Sequence, residues 1–439
     1  MKKKTIYIPI EWSNRELDSF IFFTNQAIKK KFRVIIGSKR AIFDYIKKKR
    51  DKAGIFFYKG GLEKYLCELI SKKCNAHVVL DQEIGPINNT NLSFKIPTRF
   101  YYNTLPFING YLCVGRKVFD VAKKTILKRM KGKIYLSGWP RFDLNKPKNR
   151  VFYLNEIRLI KKKYQHFNLF CSNFICTNFN QIKLLKNKQG IEHWKNSNAY
   201  KEIPQIIKRK KNGFREFNLF RNFLVNYEKN KKLPILIIRP HPNENIDDWK
   251  KMLRNFKRIK LEREYDVAPW IHCCSLLLHR GCTTSIQSLI SKKKVVFVKI
   301  QKKIELEKEN ISHKISDKII SNPNKLLEKI ENKKKLNYLI KNGFLYDNTK
   351  VNSSNKIVNQ FNLLNKINKE EIQGYEIHQK IIYELKTLIY RLKNIIYPSN
   401  FKIKNPDGFK KKYFYKKLKL LKSDFKLIKE VNKNLISIE

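Results

Sequence analysis

The chain has 439 residues, 42% hydrophobic and 13% aromatic, which excludes a disordered protein and leaves room for two domains and an appendage. There are 95 Lys and Arg against 37 Asp and Glu, a formal charge of +58. The basic residues recur through every segment rather than forming one block, so the charge reads mainly as compositional drift and nucleic acid is an unlikely partner.

The eight cysteines form no paired C-x-x-C spacing and most sit in apolar runs, which predicts reduced, buried thiols in a cytosolic protein. No run reaches the roughly 18 apolar residues of a membrane span. The short apolar stretch after Met1-Lys2-Lys3-Lys4 contains Pro9 and meets Glu11, so it reads as a strand rather than a signal peptide.

Thr5–Ile10 is the first predicted strand, and Ser13 or Asn14 can cap the helix after it, through Lys31. Strands at Arg33–Gly37, Gly54–Tyr58, Ala76–Leu80, Tyr111–Val114 and Lys133–Leu136 alternate with helices over Ala41–Lys49, from Gly60-Gly61 through Cys74, and over Lys117–Arg129. Asp143–Arg150 is a lysine- and asparagine-rich linker. The pattern then restarts: a helix over Val151–Tyr164, a strand over Asn168–Thr177, and a polar insertion to Lys231. Strands follow at Pro234–Ile238, Arg258–Leu261, Ser275–Leu278 and Val295–Lys299, with helices over Trp249–Asn255, Pro269–Cys274 and Thr284–Ser291. This alternation predicts an α/β chain of two Rossmann-like domains facing a cleft, residues 1–145 and 151–345. Residues 346–439 read as a basic α-helical extension, with apolar stripes in Glu370–Tyr397 and Phe409–Leu427.

Two junctions carry the chemistry. Ile235–Ile238 stops at Arg239-Pro240-His241-Pro242, because prolines cannot continue a ladder. That leaves an arginine and a histidine on a stiff loop at a strand's C-terminal end, the edge where open α/β sheets bind ligands. Arg239, His241, Pro242 and Glu244 are therefore nucleotide-binding candidates, since arginine offers a planar fork to phosphate. The second junction, His279-Arg280-Gly281-Cys282-Thr283-Thr284-Ser285, brings small hydroxyl residues to a helix N-terminus. His279, Gly281, Thr283, Thr284 and Ser285 are the matching phosphate and sugar contacts. Asp81 and Glu83, two positions apart after a strand, are the candidate catalytic carboxylates; alternation would point both the same way. Glu11, Asn14 and Arg15 lie at the first strand's end as acceptor contacts, although helix capping is the stronger reading. Gly138 and Arg141 end the first half, as cleft residues or as a plain turn. His272 beside Trp270 reads as a packed core histidine. There is no P-loop, no G-x-G-x-x-G, no H-E-x-x-H and no paired metal-ligand spacing, so neither cofactor nor metal is expected.

The order strand-DQEIG, SGWPRFD, RPHPNE and DVAPW…HRGCTTS resembles the surface carbohydrate biosynthesis proteins of bacteria. More broadly it resembles GT-B glycosyltransferases that use CMP-activated acidic sugars, namely bacterial sialyltransferases and β-linked 3-deoxy-manno-octulosonic acid transferases. The likeness covers roughly residues 5–330. In those enzymes an acidic D/E-D/E-G motif supplies the general base and a His-Pro motif binds cytidine monophosphate. The resemblance implies His241-Pro242 as the nucleotide motif and Asp81 or Glu83 as the base; Gln82 and Ile84 interrupt the acidic motif.

The expected function is thus transfer of a sugar from a nucleotide-sugar donor to a surface polysaccharide or a lipid-linked acceptor, metal-independent and inverting. Glycerophosphate transferases on related folds also carry an R-x-H-P loop, so a CDP-glycerol-type transferase is the alternative. A non-catalytic nucleic-acid-binding or polysaccharide-assembly protein is the other-class rival. The lysine-rich stripes of residues 370–427 suggest peripheral attachment to an anionic membrane surface, on the inner face of the cell membrane.

Overall fold

A computed structural model describes residues 4–85, 91–101, 103–174, 203–242, 244–300, 311–331, 335–347, 350–364, 385, 409–432 and 434–439. The chain divides into two compact units. The first comprises Met1–Ile84, Ser93–Leu144 and Leu345–Glu439, and the second Gly85–Leu92 and Asn145–Phe344.

The first unit is built on β1 (Thr5–Ile10), β2 (Arg33–Ser38), β3 (Ile55–Tyr58), β4 (Ala76–Leu80), β5 (Gly110–Cys113) and β6 (Lys133–Leu136), parallel in the order β2-β1-β3-β4-β5-β6. Every residue of β1 is buried, as expected of a strand covered by helices on both faces. The chain runs outward in both directions from β1 and β3, so the topological switch point lies between them and ligand chemistry is expected at their C-terminal ends.

The second unit carries β7 (Phe167–Cys171), β8 (Ile235–Arg239), β9 (Ile259–Leu261), β10 (Leu276–His279), β11 (Lys294–Val298) and β12 (Lys318–Ile320), all parallel, in the order β12-β11-β10-β7-β8-β9. From β9 inward this is the doubly wound 3-2-1-4-5-6 order, with its switch point between β7 and β10. An aromatic core of Phe170, Phe174, Phe217, Phe220 and Trp249 packs against one face, with Phe170 and Phe220 stacked at 4.5 Å. Both units are therefore Rossmann-like, as the alternation predicts.

The C-terminal residues depart from expectation. The described ones are not a separate basic extension, because they complete the first unit. The helix Ser353–Leu364 buries Phe361 against Phe23 and Phe57, at 5.9 and 5.0 Å between ring centroids. Asp143 caps it: its two carboxylate oxygens accept from the Ser353 and Ser354 amides, each at 2.9 Å, and from the Ser354 hydroxyl. Gly138 permits this close return. Its φ of 72° lies in the left-handed region, and a Cβ there would meet the Ser353 hydroxyl at 2.5 Å. Further on, β13 (Ile428–Asn432) and β14 (Leu435–Ile438) form a hairpin, and β14 pairs antiparallel with β2. An apolar β14, all four residues buried, covers what would otherwise be a sheet edge. Apart from Leu385, residues 370–397 of the expected amphipathic stripe lie outside the described residues.

Candidate functional site

At the switch point of the first unit, Glu11 directly follows β1 and Lys59 directly follows β3. Neither Ser13 nor Asn14 caps the next helix, which runs over Ser13–Lys29 behind Trp12 and carries no side-chain cap. Instead buried Glu16 reaches back and accepts from the Glu11 amide at 3.0 Å and the Trp12 amide at 3.5 Å, tying the first turn to the residues before it. Asn14 is exposed. Lys59 bridges Glu16 and Glu11, 3.1 Å from the latter, and Lys39 approaches Glu11 to 3.7 Å. The Tyr58 hydroxyl donates to the same Glu11 carboxylate. Burial works to raise the Glu11 carboxyl, but Lys59, Lys39 and Tyr58 overcome it and hold it at about 2. Burial first, then Glu11, pushes the Tyr58 phenol up.

Asp81 and Glu83 do not point the same way. Asp81 is buried, and its Oδ1 accepts from the Glu83 amide at 2.8 Å and the Ile84 amide at 3.3 Å. That turn ends the pleat, so alternation no longer applies. Its Oδ2 accepts from Arg99 Nε at 3.0 Å and the Tyr111 hydroxyl at 3.4 Å. With both oxygens engaged, Asp81 organises the turn rather than waiting for a proton. Glu83 is exposed, 3.6 Å from Arg15. Partial burial works to raise its carboxyl, yet Arg15, Arg99, Lys59 and Arg141 together hold it below the usual carboxylate range. Arg141 is buried and donates to the Arg15 carbonyl at 3.0 Å. It and Gly138 therefore serve the packing of the first unit.

In the second unit the loops after β7, β8 and β10 are tied to one another. Buried Glu244 is the knot. It accepts from the Ser172 hydroxyl at 2.6 Å, from the Trp249 indole at 2.8 Å and from the Phe174 amide. Ser172 in turn accepts from the His241 amide at 3.0 Å. Asn173 donates to the Gly281 carbonyl at 2.8 Å, stapling the two sides of the switch point. Arg263 Nη2 gathers the Pro242 and Glu244 carbonyls at 3.1 and 3.3 Å. Burial raises Glu244 to about 7.

Three of the predicted ligand contacts have their side chains bonded within the unit. Arg239 donates to the Glu264 and Tyr265 carbonyls at 2.7 and 2.8 Å and lies over the Trp270 ring at 5.3 Å. Burial lowers it to about 10; its fork is committed to backbone, not phosphate. His279 is fully buried. Its Nδ1 accepts from the Gly281 amide at 3.2 Å, so the network assigns the proton to Nε2, 2.9 Å from the Ser316 hydroxyl. Burial, then neighbouring Arg280, depresses it to about 3, so it is a neutral imidazole. Glu244, also expected at the nucleotide, shapes the loop from within. Gly281 has a φ of 78°, which only glycine adopts without strain. The Ser285 hydroxyl folds back onto the Cys282 carbonyl at 2.8 Å. His241, Thr283 and Thr284 are half-buried and Pro242 is exposed, so these remain at the surface of the edge.

Sequence reading missed Ser172, Asn173, Arg263, Lys59 and Arg99. Running the strand after Asn168 on to Thr177 concealed the Ser172-Asn173 loop; the polar pair itself was the signal. His272 is buried 6.4 Å from the Tyr153 ring, a packed core histidine as read. The described cysteines carry no disulfide, and burial pushes the Cys282 thiol up to about 11; Cys176 lies outside the described residues. Among the described residues no group of three or more His, Cys, Asp or Glu is placed to hold a metal ion, and no helix is long and apolar enough to cross a membrane.

No protein-family model matches the sequence, and no curated protein matches it. Among solved structures the chain is similar to the wall teichoic acid polymerase TagF, at 12% identity over 83% of this chain and 88% of that one, with a TM-score of 0.49. It is also similar to S. aureus MnaA with UDP, at 10% identity, 85% and 100% coverage and a TM-score of 0.47. The UDP-GlcNAc 2-epimerase of Methanocaldococcus jannaschii is 12% identical, with 82% and 99% coverage and a TM-score of 0.41. The Rossmann character of each unit rests on its own strand order and register.

Proposed function

We propose that the chain is a GT-B-type transferase that moves a sugar, or a glycerophosphoryl group, from a nucleotide-linked donor to a hydroxyl of a surface polysaccharide or its lipid-linked precursor. The observation that supports this most is the switch point of the second unit. Loops from three strand ends are fixed there by buried groups, with the side chains of His241, Thr283 and Thr284 half-buried at the same edge as hydrogen-bonding groups. Such preformed donors suit a nucleotide phosphate, because they need no reorganisation when charge develops on the leaving group. The sequence resemblance suggests a cytidine nucleotide, with a CMP-activated acidic sugar or CDP-glycerol as donor.

In this reading Glu83, ionised and accessible, takes the proton of the acceptor hydroxyl. In such a transfer the acceptor oxygen attacks the donor carbon or phosphorus, the bond to the nucleotide phosphate breaks, and its electron pair leaves with the phosphate.

The test is calorimetric titration of the full chain with CMP, CDP and UDP, repeated with His241→Ala. A cytidine nucleotide should bind, and the variant should bind it roughly 10- to 100-fold more weakly, the 1.5–3 kcal/mol of a hydrogen bond to a charged group. Binding of no nucleotide, or unchanged affinity in the variant, overturns the reading.

A further inference from the structure

The helix Lys411–Leu420 has two faces of opposite character. Phe414 and Leu418 are fully buried on the first unit, and the Tyr413 hydroxyl donates to Asp18 on the Ser13–Lys29 helix. Opposite them, Lys412, Tyr415, Lys416 and Lys419 are all exposed. Their spacing of three, one and three residues puts them on one stripe of the helix surface. Past the helix end Lys422 and Lys426 are exposed as well. Apolar groups are set among these lysines. Tyr415 is 49% exposed and meets Phe425 edge-on at 5.6 Å, and Leu427 is 47% exposed. Two acidic residues, Asp424 and Glu430, share the surface.

We propose that this face docks the protein on an anionic lipid bilayer. Lysine heads gather at the phosphate layer, while the tyrosine ring and leucine enter the headgroup zone, where an amphipathic ring is stable. A polynucleotide fits less well. The segment from Phe409 to Asn432 contains no arginine, so it lacks the planar fork that recognises a phosphodiester backbone, and exposed leucine gains nothing there. The docking face is rigid rather than a tail, because the same segment continues into the β13–β14 hairpin of the sheet. This inference is independent of which donor or acceptor the transferase uses.

Truncation would strip two strands from the sheet, so point variants are the test. The full chain is sedimented with vesicles of phosphatidylcholine alone and of phosphatidylcholine with phosphatidylglycerol. Three forms are compared: the parent; Lys412→Glu, Lys416→Glu and Lys419→Glu combined; and Lys231→Glu, Lys232→Glu and Lys251→Glu combined, which changes net charge equally on the second unit. The parent should sediment with the anionic vesicles only. The first triple should partition at least about tenfold more weakly, since each lysine near the surface contributes on the order of a factor of five, and the second should stay within about twofold of the parent. Tyr415→Ala with Leu427→Ala, which leaves the charge untouched, should also weaken binding. Equal losses in the two triples would reduce the effect to net charge and overturn the proposal. So would a first triple that loses affinity for a random duplex oligonucleotide but not for vesicles.

Discussion

At the C-terminal edge of the first unit's sheet, Glu11, Glu16 and Glu83 stand among Lys39, Lys59, Arg15 and Arg99. At the corresponding edge of the second, Glu244 and His279 are buried among hydroxyls, backbone amides and an indole. The first edge is held by ion pairs that water can partly reach. The second is held by hydrogen bonds to side chains near neutrality. Ion pairs at a wet edge are individually weak and screened, whereas a buried polar knot is costly to break because its partners are left without water. The two edges should therefore respond differently to truncation, pH and salt.

The largest difference should come from deleting one carboxylate on each side. Glu244→Ala abandons the Ser172 hydroxyl, the Phe174 amide and the Trp249 indole in a dry interior, a cost of about 3–5 kcal/mol. Glu11→Ala strands the Tyr58 hydroxyl but leaves Lys59 still paired with Glu16 and should cost about 1–2 kcal/mol. Urea unfolding followed by tryptophan fluorescence measures both. Equal costs would mean the edges are not built differently.

Acid titration sharpens the contrast within the second unit. Glu244 sits at about 7 in the folded chain, above its unfolded value of 4.5. The folded state holds its proton longer, so its contribution to stability is present below pH 4.5 and is lost as pH rises toward 7. His279 sits at about 3, below its unfolded 6.5, so its contribution is present above pH 6.5 and is lost as pH falls. Between pH 4.5 and 6.5 the two slopes oppose each other. Glu244→Gln should make the chain lose stability on acidification relative to the parent. His279→Gln should make it gain. Each change approaches about 1.4 kcal/mol per pH unit. Parallel profiles for the parent and both variants would show that neither group titrates as its burial requires.

What the sequence made legible follows the same division. Apolar runs such as Ile235–Ile238 and Ala76–Leu80 show as strands because both their faces are buried, which is a local property. The β13–β14 hairpin was not legible. Ile428–Asn432 and Leu435–Ile438 are short and follow a lysine-rich helix, and the β2 strand that β14 needs lies about 400 residues away in the chain. Arg239, Glu244 and His279 stand at strand ends, as the sequence indicates, but their side chains bond to groups within the unit. A residue type and a position near a strand end do not reveal whether the side chain turns outward to a ligand or inward to a carbonyl. Asp81 and Glu83 were separated by a turn that Asp81 itself makes, which a period of two cannot anticipate.

Salt should separate the edges by a smaller amount. Glu11, held at about 2 by two lysines and a tyrosine, contributes stability above pH 4.5 that is lost as pH falls toward 2. Because this carboxylate is partly exposed, the roughly 1 kcal/mol lost in Glu11→Gln at low ionic strength should shrink by about half in 1 M salt. The Glu244→Gln difference should not move. A Glu11→Gln cost insensitive to salt would place that network in a drier setting than its exposure indicates.

The smallest expected change in stability belongs to Glu83, and it bears most directly on chemistry. Its contact with Arg15 is 3.6 Å long and its side chain is 42% exposed, so Glu83→Gln should alter unfolding by less than about 0.5 kcal/mol. Asp81→Asn is different. It replaces one of two engaged oxygens with a donor facing Arg99 or two amides and should cost about 2 kcal/mol or more. A base that acts only on the acceptor proton lowers turnover without changing donor affinity. Transfer measured with the nucleotide-linked donor should therefore collapse in Glu83→Gln at unchanged melting temperature and unchanged nucleotide binding. In Asp81→Asn, activity should fall only in step with the folded fraction. A fully active Glu83→Gln would remove that carboxylate from the reaction and leave the ion-paired edge of the first unit as a structural device alone.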